Sequence, residues 1–266
     1  MSLLGRVGAT SATAPRRGPS LLARHPAALP ITVSVAAWVV LLVVQPALSD
    51  HLLSDRLLSD HLLSGPLSSP GATGHGGLFT PAGIAHTAAM TVAMMAPLAL
   101  SGVRTAAVTS LWWRAGRAAV IFLAAFLVAW TVIALCLAAV AEAWTTWLGS
   151  AMIGTAVLLG VCALAQLDPT RPEKLKRCDR GMRLRATGSD ADVDCARFGA
   201  LTAGRDVRFC ALPMLAMLAA AGLPGSLLVM AALTALTLAD RITAGRRRLL
   251  IAAAYAACAL ALLLRS

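Results

Sequence analysis

The chain has 266 residues, 58% of them apolar and only 13% charged, with a formal net charge of +11 and a mean hydropathy of +0.77. Soluble domains carry about a quarter charged residues, so this composition excludes an ordinary globular enzyme, a disordered tail and a DNA-binding domain. It points to an all-α fold, a polytopic transmembrane helix bundle of about seven helical segments, with the lipid bilayer and not nucleic acid facing its basic residues.

Charge and hydropathy divide the sequence into a cytoplasmic N-terminal tail, 1–30, and a single transmembrane helical domain, 31–266. Ile31 to Ala47 is the first uncharged run, near the lower limit of about 17 residues for a span. The Arg residues up to Arg24, this apolar run and Ala47-Leu48-Ser49 also have the order of a secretory signal with a cleavage site. The basic lead is unusually long for a signal, which favours a retained first helix. An outer low-complexity loop, 48–77, follows, with a five-residue repeat over 49–63. His51, His61 and His75, with Asp50, Asp55 and Asp60, could collect a metal ion there. On a helix, however, His51 and His61 would differ by about 80° in azimuth, so a duplicated linker is the preferred reading.

Leu78 to Ser101 predicts the second helix. Ala118 to Ala141 and Ala143 to Leu167 predict two more, separated by Glu142, with Trp144 and Trp147 at the membrane–water boundary. The segment 168–208 has ten basic and seven acidic residues and reads as a basic inner loop, partly helical at most and too small for a soluble catalytic domain. Cys178 and Cys195 lie in it without a CxxC partner, a weak zinc pattern. None of the six cysteines lies in a segment placed outside, so no disulfides are expected. Phe209 to Ala239 is uncharged for 31 residues but contains Gly222-Leu223-Pro224-Gly225, a turn signal. It predicts a fifth and sixth segment in a hairpin whose arms, about 13 or 14 apolar residues each, are short or re-entrant. Leu249 to Leu264 predicts the last helix.

With the hairpin, four basic residues up to Arg24, three in 102–117, ten in 168–208 and four in 240–248 fall on one side, 21 of the 23 in the chain. The positive-inside rule therefore orients the chain in a bacterial plasma (inner) membrane as a multi-pass protein, N-terminus cytoplasmic and C-terminus outside. Glu142 and Asp240 read as solvated charges at helix ends.

The groups that topology leaves unexplained are soft. On the second helix, His86, Met90 and Met94 share an arc of about 80°, with Met95 adjoining, and on the fifth Cys210, Met214 and Met217 share about 60°. Met94, Met95 and Met214 lie at similar depths from the inner ends of their antiparallel helices. Imidazole, thioether and thiol together suit Cu(I) better than hard cations, and neutral thioethers avoid the desolvation cost of carboxylates. The plain alternative is packing, because Met and Cys are ordinary residues in apolar helices. No HExxH, GxSxG or phosphate loop is present, so no enzyme is expected.

Met90-x-x-Ala93-Met94-Met95-x-Pro97, Gln166-Leu-Asp-Pro169, Leu175-Lys176-Arg177-Cys178, Cys210-x-x-x-Met214, Gly222, Met230-Ala231-Ala232-Leu233 and Asp240-Arg241 carry a resemblance over roughly 80–241. The chain resembles the bacterial family of predicted metal-binding integral membrane proteins called domain of unknown function 2182, some of whose members are labelled copper chaperones. It differs from the usual members in having Thr87 where they carry Trp. Of their Cys-rich cluster it keeps only Cys210, flanked by Phe209 and Ala211, and their acidic–Lys ending is here Asp240-Arg241. The resemblance implies a protein that binds or hands on a soft metal ion, copper before others. The ligands would be Met90, Met94, Met95, Cys210, Met214 and Met217 with His86 above them, and a membrane or metallochaperone protein would be a partner. Two other readings stay open: a small solute transporter using the broken fifth and sixth segments, and a structural or assembly subunit whose stripes are helix contacts.

Overall fold

The computed structural model describes residues 28–43, 80–171, 173, 184–185, 190–223, 225–243 and 246–264, and these are helical or lie in short turns. In chain order the helices are α1 (Ala28–Val43), α2 (Pro81–Met95), α3 (Leu100–Thr109), α4 (Ala115–Leu148), α5 (Ala151–Gln166), α6 (Asp190–Ala220), α7 (Ser226–Ile242) and α8 (Arg248–Leu263). No strand occurs among the described residues. The histidine-bearing repeat, the Ala47–Ser49 cleavage motif and Cys178 lie outside them.

The second predicted helix is broken. Thr80 caps α2, its hydroxyl accepting from the Gly83 amide at 3.2 Å, and Pro81 fits the first turn, where its missing N–H costs nothing. Pro97 cannot donate to the carbonyl of Ala93, four residues back, and its ring crowds the turn before it. A 3-10 turn, Pro97–Ala99, follows, and α3 leaves at a bend of 43°. The orphaned Ala93 carbonyl is not left bare: Ser34 of α1 donates its hydroxyl to it at 2.6 Å in a buried contact.

The boundary expected at Glu142 moves. The helix α4 runs through it for 34 residues, about 51 Å at 1.5 Å each. Glu142 is exposed and helix-compatible, so one charge there interrupts nothing. The chain turns instead at Gly149, whose φ of 66° is left-handed, and Ser150 then caps α5 by accepting from the Ile153 amide. The turn expected at 222–225 is present: α6 ends at Ala220, Gly225 has φ 79°, and α7 begins at Ser226 and packs back on α6.

The basic loop is shorter than expected, because its second half, from Asp190, is the start of α6 and docks on α4. Asp192 pairs there with Arg114 at 2.5 Å and Arg117 at 2.6 Å. The helix α4 is the principal partner of both α2 and α6, and α5 packs on α8 and α6. Gly199 lets α6 and α4 approach closely, since a Cβ there would lie 2.4 Å from the Phe122 carbonyl oxygen. Phe122 packs beside Phe126 and Phe198 at the centre of this seam.

Among the described residues, α4 alone is long and apolar enough to cross a membrane, while α2 and α3 qualify together as one bent pair. The apolar helices α1, α5 and α8 have 16 residues each, about 24 Å, short of a hydrocarbon core of about 30 Å. The all-α class expected from the sequence is present, and among the described residues the helix lengths give one clear span and one bent pair toward the expected seven segments.

Candidate functional site

Six of the seven expected ligands are buried in one continuous apolar core. Met90, Met94, Met95, Cys210, Met214 and Met217 are all 2% exposed or less. His86 is half-buried, one turn before Met90. The stripes reach this core by way of α4, which both helices pack against, and the Pro97–Ala99 turn lies against α7. That turn's neighbour α7 adds Met230, 1% exposed, a further buried sulfur that the stripe argument omitted. The hairpin turn was its signal, since folding α7 back onto α6 brings Met230 into the same interior. Among the described residues, His, Cys, Asp and Glu form no group of three able to hold a metal ion.

Where the last turn of α7 meets the middle of α6 lies a polar cluster whose Asp240 was expected in solvent. Asp240 is only 4% exposed, not a solvated boundary charge. Its Oδ2 accepts from Arg171 Nη2 at 2.8 Å and Nε at 3.2 Å, and from Gln166 Nε2 at 3.4 Å. The next residue, Arg241, forms an ion pair with Asp206 of α6, itself 2% exposed. Arg171 also sits over the Phe209 ring, 5.4 Å from its centre. Cys210, one turn beyond Asp206, lines the same narrow cleft as Arg241. Cys210, Thr237 and Tyr255 complete the lining of this narrow cleft. Four charges can be buried here only because each has an opposite partner.

The polar half of α6 carries a different thiol. Cys195 is 1% exposed, and burial pushes it above its ordinary value, an effect the nearby Arg114 guanidinium opposes. Cys210 is equally buried but lies elsewhere on α6, beside the charged cluster.

No curated protein and no solved structure matches the chain. A family model described as copper chaperone, PpoB2, matches residues 85–264, from within α2 to the end of α8 and through both the sulfur core and the charged cluster, and the chain belongs to that copper-chaperone family.

Proposed function

We propose that the chain is a multi-pass protein of the bacterial plasma membrane that binds Cu(I) and hands it to a membrane or metallochaperone partner, as a carrier and not an enzyme. The observation that carries this reading is the burial of Met90, Met94, Met95, Cys210, Met214 and Met217 in one core of a copper-chaperone family member. Thioethers are soft and neutral, so they can be collected in an apolar interior and still hold Cu(I), whereas hard divalent ions need oxygen ligands. Half-buried His86 supplies an imidazole at the edge of the same face.

The membrane placement is supported by the exposed aliphatic surface, and its orientation, N-terminus inside and C-terminus outside, by the distribution of basic residues alone. Val35 and Val39 on α1, Val128 and Val132 on α4, and Leu249 and Leu250 on α8 are each more than half exposed. So much uncovered aliphatic surface suits lipid better than water. Trp112 and Trp113, both 62% exposed, adjoin Arg114 and Arg117, the pairing of aromatic and basic residues found at a membrane surface.

The test is a titration of the purified full chain in detergent with Cu(I), under reductant, against a chromophoric Cu(I) chelator. Near-stoichiometric uptake is expected, and the double change Met94→Leu/Met214→Leu abolishes it. Uptake that survives the double change removes these sulfurs as the site.

A further inference from the structure

We propose that the two ion pairs where the last turn of α7 meets the middle of α6 act as a latch that closes the sulfur core over Cys210. Asp240 and Arg241 are consecutive in the last turn of α7 and point about 100° apart, so each reaches a different neighbour. Asp240 holds Arg171, just beyond the end of α5, while Arg241 holds Asp206 on α6. Three helices are thereby tied at one level. The tie lies beside the thiol: Asp206 is one turn before Cys210, Arg171 covers the adjoining Phe209 ring, and Arg241 lines the same narrow cleft as Cys210.

The chemistry of the joint suits opening better than permanent closure. A buried ion pair contributes no more to stability than apolar residues of the same volume, and often less. Once parted, however, its charges are welcomed by water, whereas a parted apolar joint is not. The closed state is also incompletely satisfied: Gln166 Oε1 and Asp240 Oδ1 are buried without a hydrogen bond, which lowers the cost of exposing them. The cargo that the latch retains rests on the copper reading above; closure over Cys210 stands without it.

The experiment follows alkylation of Cys210 by N-ethylmaleimide in the metal-free full chain in detergent micelles, read peptide by peptide, with Cys195 as the internal reference. Asp240→Ala is expected to speed Cys210 modification at least about tenfold with Cys195 still protected. Arg171→Met/Asp240→Leu, an apolar joint, is expected to bring the rate back to or below that of the native chain. An unchanged Cys210 rate in Asp240→Ala overturns the latch, as does a parallel rise at Cys195, which would mean general loosening. Failure to bind Cu(I) with this alkylation pattern intact removes the proposed cargo and leaves the latch.

Discussion

The buried sulfur-bearing residues of α2, α6 and α7 and the charged cluster between the end of α7, the middle of α6 and the segment after α5 are both shielded from water, and they are stabilised in opposite ways. Met90, Met94, Met214 and Met217 are neutral and adaptable, so they need shape but no partner. Arg171, Asp206, Asp240 and Arg241 each carry a full charge and are tolerable only as pairs. Losing one thioether therefore removes a donor and leaves the fold, whereas losing one charge strands another. The comparison separates function from architecture: residues that could be exchanged without structural cost are the ones available for a ligand.

The largest effect that would sharpen this contrast is expected in the charged cluster. Asp240→Ala or Arg171→Ala should cost about 3–5 kcal/mol in denaturant unfolding from mixed micelles. The apolar double Arg171→Met/Asp240→Leu should come within about 1 kcal/mol of the native chain or exceed it. Next comes the seam that supports both regions. Gly199→Ala drives a Cβ toward the Phe122 carbonyl and should cost about 1–3 kcal/mol, seen as a lower unfolding midpoint. Ser34→Ala strips the donor from the Ala93 carbonyl that Pro97 leaves free and should cost about 1–2 kcal/mol. Last, each of the swaps Met94→Leu and Met214→Leu should cost under about 1.5 kcal/mol, and the double change should lose Cu(I) uptake completely. A large destabilisation from that pair would break the comparison, because the thioethers would then be architecture as well.

Local signals were read well where one residue decides the backbone. The hairpin turn followed from Gly222-Leu223-Pro224-Gly225, and the last helix, expected from Leu249, begins at Arg248. Glu142 misled because a charge in an apolar run resembles a boundary, although an exposed Glu is comfortable on a helix surface. Pro97 was visible in the sequence, but its consequence needed a partner: a break in an apolar helix is stable only if something answers the freed carbonyl, and Ser34 lies 59 residues upstream of it. The faces that carry Met90, Met94 and Met214 were legible from periodicity, and these residues are buried, as both packing and ligand roles require. Asp240 was misread for the complementary reason. Its position at a helix end says solvent unless Arg171 is known to arrive from α5.

Composition, periodicity and turn residues were enough to settle that the chain is helical, where most helices lie, and which faces carry sulfur, since these depend on neighbours three or four residues away. Only the tertiary structure decided that α4 joins the two stripes, that half of the basic loop is helix docked on α4, and that Asp206, Arg171, Asp240 and Arg241 are buried in pairs. The reason is physical: an apolar side chain is stable in almost any interior, so its burial can be read locally, whereas a charge is buried only where a distant part of the chain brings its counterion.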